Sequence, residues 1–154
     1  VKVVPVQTAA DMQAAVGAHL PADVAIFAAA VADWRVEGAS DSKIKKDGKG
    51  MPKLAFTENP DILAEVSALR KGRPKLVIGF AAETDDVIAN ATAKRKRKGC
   101  DWIVANDVSP ATGIMGGPEN DVTLITADGT EDWPRMGKDA VAARLAQKVA
   151  DALG

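Results

Sequence analysis

A chain of 154 residues, 47% apolar and 27% charged, has the composition of a folded globular protein and the length of one domain that buries about two-thirds of its unfolded surface. Twenty basic against 21 acidic side chains leave a formal charge of -1, which excludes a net field for nucleic acid or anionic lipid, so any anion site must be local. A single cysteine, Cys100, and a single histidine, His19, exclude a disulfide framework, multi-cysteine metal sites and paired-histidine zinc chemistry; they suit a reducing cytoplasm, and no apolar run is long enough to span a bilayer.

Val1 to Val6 (VKVVPV) reads as a strand, at an edge or a strand end because of Pro5. Thr8 caps a helix over residues 9–20, whose apolar positions Met12, Ala15, Val16 and Leu20 recur at helical spacing. The continuous apolar run from Val24 to Ala32 predicts a strand buried on both faces, as in parallel sheets flanked by helices, although its alanines leave a helix open. Residues 33–53 form a long polar segment rich in Gly and Lys, of the kind that is usually functional or disordered.

Leu54 to Thr57 predicts a short strand, and Asn59-Pro60 an N-cap followed by proline at the first helical position, with Ile62, Leu63, Val66 and Leu69 as the buried stripe. Lys75 to Glu83 is a second buried strand, and Thr84 caps a helix reaching Lys98. Trp102 to Asn106 and Asp121 to Thr126 are two more strands. Asp128-Gly129 signals a hairpin into Thr130 to Arg135, and an amphipathic helix runs from Lys138 to Leu153. This order predicts a three-layer, Rossmann-like α/β domain, mainly parallel, with an antiparallel C-terminal addition.

Open parallel sheets bind ligands beyond the carboxyl ends of their strands. There the chain places ADWR (32–35), AAETDD (81–86) and ANDVS (105–109), each bringing carboxylates or amides past an apolar run, which together imply a polar cleft. Two lysine clusters stand out. SKIKK (42–46) reads either as a solvated loop or as an anion clamp. In KRKRK (94–98), Lys94 and Lys98 share a helix face, where they either stabilise the helix C-terminus or hold a polyphosphate. Asn59 to Ile62 is either a plain cap or a helix end that receives a polar ligand, and Phe80 is either a core ring or a base-stacking one. Trp34 and Trp102 flank the cleft, Trp133 packs under the last helix, and Cys100 is a small buried hydrophobe. Neither GxxxxGK[ST] nor GxGxxG is present, so the chain reads as amino-terminally incomplete for a nucleotide-binding sheet.

Taken in order, AAVADWR (29–35), KIKK (43–46), NPDIL (59–63), GFAAET (79–84), KRKRK (94–98) and VANDVS (104–109) resemble the motif set of the phosphopantothenate-cysteine ligases, and the resemblance covers nearly the whole chain. It implies a CTP-dependent ligase of coenzyme A biosynthesis. The 4'-phosphopantothenate carboxylate attacks the α-phosphate of CTP, pyrophosphate leaves, and the amine of L-cysteine displaces CMP from the acyl-cytidylate, with Mg²⁺ screening the phosphates.

By that resemblance Phe27, Ala28, Ala29 and Asp33 line the CTP site, with Asp33 near ribose or metal. Lys43 neutralises the phosphates as the acyl-cytidylate forms. Asn59, Pro60, Asp61, Ile62 and Phe80 hold the nucleoside, Lys94 and Lys98 the triphosphate, and Asn106 and Asp107 stand behind these groups. It further implies a homodimer and fusion to a flavin-dependent decarboxylase that carries FMN outside this chain. The family's first β-α unit has no counterpart here, so residues 1–154 are expected to contact CTP without completing amide formation alone. The competing classes are a nicotinamide-dependent oxidoreductase of the same broad fold and a non-catalytic nucleotide-binding or dimerisation module.

Overall fold

The structure, a computed structural model, describes residues 1–38, 54–110, 112–113 and 117–154. In chain order its elements are α1 (Ala9–Ala18), β1 (Val24–Phe27), β2 (Trp34–Val36), β3 (Phe56–Glu58), α2 (Ile62–Ser67), β4 (Leu76–Glu83), α3 (Val87–Lys98), β5 (Trp102–Asp107), β6 (Glu119–Asn120), β7 (Val122–Ile125), β8 (Thr130–Asp132), β9 (Met136–Gly137) and α4 (Lys138–Leu153). They divide into two compact units, Val1–Ala18 with Ala30–Asp61 and His19–Ala29 with Ile62–Gly154.

The larger unit is built on a five-stranded sheet in the order β1-β4-β5-β7-β8. β4 pairs parallel with β1 and β5, and the sheet continues antiparallel through β7 and β8, giving the Rossmann-like α/β architecture with its antiparallel addition. Side chains alternate across the sheet. Leu76 and Ile78 of β4 join Val104, Val122, Leu124 and Trp133 against Val141 and Leu145 of α4. On the opposite face α2 and α3 pack on β4, and Ala91 of α3 is fully buried. Both faces are therefore covered, which is why Leu76 to Gly79 are buried without interruption.

The hairpin after β7 forms at Asp128-Gly129, where the Thr126 N–H donates to the Gly129 carbonyl at 2.9 Å. Trp133 follows it into the core, with the Arg144 guanidinium 4.8 Å from its ring centroid. Arg144 also donates to Glu131 at 2.9 Å, which ties α4 to β8. At the amino edge of the sheet Asp101 accepts from Arg73 at 3.0 and 3.1 Å and from the Val77 N–H at 2.7 Å, locking the start of β4 to the start of β5.

The smaller unit contains α1 and the antiparallel pair β2–β3. Its helix opens with a reciprocal cap: Thr8 Oγ1 accepts from the Asp11 N–H at 3.1 Å, and Asp11 Oδ2 accepts from the Thr8 N–H at 3.0 Å. These bonds, the Thr8 side chain first, hold the Asp11 carboxyl below the usual carboxylate range.

Several local expectations are corrected. Val1 to Val6 forms no strand, because a strand needs a ladder partner and none pairs with it among the described residues. The run 24–32 is a strand only to Phe27. It is half-buried, with Ile26 49% exposed, because β1 is an edge strand with β4 on one side. ADWR is not simply a loop, since Trp34–Val36 pairs with Phe56–Glu58. Helix α2 begins at Ile62 and stops at Ser67, leaving Leu69 beyond it and exposed. Asp86, not Thr84, precedes α3; it lies in the left-handed region at φ 40°, without a side-chain cap bond.

Gly79 sits where α2 presses on the sheet: a Cβ there would lie 2.7 Å from Leu63 Cδ2 and 2.9 Å from Ile103 Cδ1. Gly79→Ala should therefore destabilise the fold by about 1–2 kcal/mol, read as a lower urea midpoint at unchanged slope.

Candidate functional site

The parallel register aligns the carboxyl ends of three strands on one edge of the larger unit. Phe27 lies opposite Gly79 and Glu83 opposite Asp107, so β4 and β5 run on past the end of β1. Beyond these ends come Ala28 and Ala29, the turn 84–86, and the segment after Asp107. The second and third are organised by hydrogen bonds. The Val108 N–H donates to the Glu83 carbonyl at 2.9 Å, and the Thr112 hydroxyl donates to the carbonyls of Asp107 at 3.2 Å and Ser109 at 2.9 Å. Asn90 of α3 donates through Nδ2 to the Asp85 carbonyl at 2.9 Å.

This edge is rich in carboxylates. Glu83, Asp85, Asp86 and Asp107 supply acceptor oxygens, which suit hydroxyl groups and hard cations. Asp107 Oδ1 accepts from the Ser109 N–H at 2.8 Å, and the hydrogen bonds from Ser109 hold its carboxyl below the usual range. Asp86 keeps a backbone conformation that non-glycine residues adopt rarely, in the turn that follows β4.

Arg135 was not foreseen. Its Nε donates to Glu119 at 3.0 Å and its Nη1 to the Thr112 carbonyl at 3.3 Å, so it braces the segment after β5. A lone arginine in EDWPRM carries no sequence signal; the pairing of β6 with β9, with Asn120 opposite Met136, is what brings it there.

In the smaller unit the β2–β3 ladder continues one pair past its strands, where the Asn59 N–H donates to the Asp33 carbonyl at 2.8 Å. The Asn59 side chain is engaged at both ends. Nδ2 donates to the Ala32 carbonyl at 2.8 Å, and Oδ1 accepts from Arg35 Nη1 at 3.2 Å. Asn59 is thus not the cap of α2, which begins three residues later. Arg35 is the second residue that sequence reasoning missed; the motif ADWR contains it, but only the pairing reveals its partner.

The expected site residues fall in different places. Phe27 ends β1, with Ala28 and Ala29 exposed beyond it; Asp33 is exposed immediately before β2; Pro60 and Asp61 follow Asn59. Ile62 has its side chain in the core at 6% exposure, so it offers a ligand backbone at most. Phe80 is half-buried and packs against the core cluster on the α4 side, and Trp102 does the same at the start of β5, away from the carboxyl edge. Trp34 is exposed, Trp133 is buried under α4, and burial raises the pKa of the Cys100 thiol.

Lys94 and Lys98 are half-buried on the face of α3 that carries Ala91. Lys98 is the last residue of that helix, about 17 Å along its axis from Val87, and so lies by the amino edge of the sheet. Lys43 lies outside the described residues.

The Asp107 turn generates a test by pH. A carboxyl whose folded pKa is depressed stabilises the turn above its unfolded pKa, and that contribution disappears as pH falls through the folded value. The Ser109 amide resonance should titrate with a midpoint below the ordinary aspartate range. Asp107→Ala should remove that titration.

The sequence matches the DNA/pantothenate metabolism flavoprotein C-terminal domain family over residues 1–153. It is 38% identical over 162 residues to the coenzyme A biosynthesis bifunctional protein CoaBC of Mycobacterium tuberculosis, covering 99% of this chain and 38% of that protein. It is 40% identical over 152 residues to CoaBC of Escherichia coli K12, covering 97% of this chain and 37% of that protein. The chain thus spans under two-fifths of the length of these relatives. A crystal structure of the C-terminal domain of a CoaBC superposes with a TM-score of 0.75 at 32% identity, over 97% of this chain and 65% of that one. Sequence and fold agree: the chain belongs to the DNA/pantothenate metabolism flavoprotein C-terminal domain family.

Proposed function

We propose that this chain is the CTP-handling part of a phosphopantothenate-cysteine ligase in coenzyme A biosynthesis. The observation that carries the reading is the family match over residues 1–153 together with 38–40% identity to two CoaBC proteins. The complete protein would be a homodimer working in the cytoplasm, with a flavin-dependent decarboxylase half that holds the FMN.

In the reaction a carboxylate oxygen of 4'-phosphopantothenate attacks the α-phosphorus of CTP, the bond to the bridging oxygen breaks, and pyrophosphate leaves. The amine nitrogen of L-cysteine then attacks the acyl carbon and loses a proton, and CMP departs with the former carboxylate oxygen. Both partners of the first step are anionic, so the residues must supply positive charge and exclude free hydrolysis.

Lys43 is assigned to the charge that builds on the phosphoryl oxygens. Asp33 is assigned to the ribose or the metal, Phe27 to Ala29 to the lining of the CTP site, and Asn59 to Ile62 with Phe80 to the nucleoside, through backbone groups at Ile62. Mg²⁺ takes one or two carboxylates plus phosphate oxygens and keeps several waters. An exposed carboxylate such as Asp33 has the chemistry for that. Among the described residues no group of three or more His, Cys, Asp or Glu is disposed to hold a metal ion, the carboxylates of the strand-end edge included, and the ion is assigned to arrive with the nucleotide. Lys94 and Lys98, on one face of α3, are assigned to the triphosphate, with Lys94 nearer the carboxyl edge and Lys98 at the helix C-terminus.

The test uses the full-length protein. Pyrophosphate release should require CTP, Mg²⁺ and 4'-phosphopantothenate together, and ATP should not replace CTP. Lys43→Gln should reduce that release at least about a hundredfold, at an unchanged melting temperature. Lys94→Gln should raise the KM for CTP more than Lys98→Gln does. Tight NADPH binding in place of CTP would support the oxidoreductase class, and CTP binding without pyrophosphate release would leave a non-catalytic nucleotide-binding module.

A further inference from the structure

We propose that Arg35 is a positioning residue that acts on Asp33 through Asn59, an inference that rests on the reading of Asp33 as a contact of CTP or its metal. Asparagine can present its amide in two orientations that differ little in shape. Here its neighbours allow one. The guanidinium of Arg35 only donates and the Ala32 carbonyl only accepts, so Oδ1 must face Arg35 at 3.2 Å while Nδ2 faces Ala32 at 2.8 Å. Arg35 is itself held, because the same Nη1 donates to the Glu58 carbonyl at 2.6 Å.

The consequence falls on Asp33. Asn59 binds the Ala32 carbonyl through its side chain and the Asp33 carbonyl through its backbone N–H at 2.8 Å. The peptide groups on both sides of the Asp33 Cα are therefore fixed by one residue, and that residue is fixed by Arg35. The β2–β3 register makes this possible, since Trp34 opposite Glu58 brings Arg35 beside the residues that follow β3. Arg35 and Asp33 are exposed. Hydrogen bonds at such exposure add little to global stability, so the work of the clamp is to aim the Asp33 carboxylate. Both ends of the Asn59 amide are engaged in the clamp, so the part assigned to Asn59 in holding the nucleoside falls to its backbone.

In the full-length protein Arg35→Ala should raise the KM for CTP about tenfold, the loss of a hydrogen bond to a charged group, while the KM for 4'-phosphopantothenate and the melting temperature stay unchanged. Arg35→Lys keeps one donor and should recover part of the loss. In an Asp33→Asn background Arg35→Ala should add less than about twofold, because a residue that acts through another is non-additive with it. The full effect of Arg35→Ala in that background, or an unchanged KM for CTP in the single variant, overturns the proposal.

A second readout is independent of catalysis. In unliganded protein Arg35→Ala should shift the Asn59 side-chain amide and Asp33 backbone amide resonances and speed exchange of the former. Unmoved resonances overturn the clamp even if CTP is the substrate. Moved resonances in a protein that does not use CTP retain the clamp and reject the ligase reading instead.

Discussion

The parallel pairing of β4 with β5, from Ile78 opposite Trp102 to Glu83 opposite Asp107, is the constraint on which the larger unit depends. A parallel ladder needs a crossover, and α3 provides it. Each strand then needs cover on both faces, which α4 supplies on one side and α2 with α3 on the other. Once that register is set, Glu83 and Asp107 must end at the same level, and the turns that follow them must share an edge. The polar character of that edge follows from topology. The Asp101 bonds to Arg73 and the Val77 N–H hold the same register from the opposite end.

The smaller unit reaches order by different means. Its described residues bury little apolar surface: Trp34, Leu54 and Phe56 are exposed, and α1 has no buried residue. Directional bonds carry the local geometry, namely the Thr8–Asp11 cap and the Arg35–Asn59–Ala32 chain. Such bonds fix angles and orientations while adding modestly to stability. That combination is what the proposed clamp on Asp33 requires.

Much of the fold was legible because hydrophobic period and length agree in the long elements. The apolar period predicts a final helix from Lys138 to Leu153, and α4 spans those residues; β4 and β5 differ from their expected bounds by one residue. Legibility failed where an element depends on what lies beside it. Val1 to Val6 has strand composition and no ladder partner, and 24–32 has the apolar content of a central strand but ends early at an edge. At the carboxyl edge the polar residues that end or follow the buried runs were legible, namely Asp107 at the end of β5 and Thr84 to Asp86 after β4. The packing of Phe80, inside β4, and of Ile62, at the start of α2, could not be read from composition, because an apolar side chain gives no sign of its neighbours before the chain folds. Here both have core neighbours.

By itself the sequence determined the family, the alternation of strands and helices, and the residue types at each strand end. These are properties of order along the chain, and order survives without coordinates. Tertiary structure decided which polar groups answer one another: Arg35 with Asn59, Arg135 with Thr112, Asp101 with Arg73, and the placement of Lys98 at the amino edge. The reason is physical. A hydrogen bond is a matter of a few tenths of an ångström and a direction, and for Arg73 and Asp101 it joins residues 28 positions apart; no pattern of spacing along a chain encodes that before the sheet register is set.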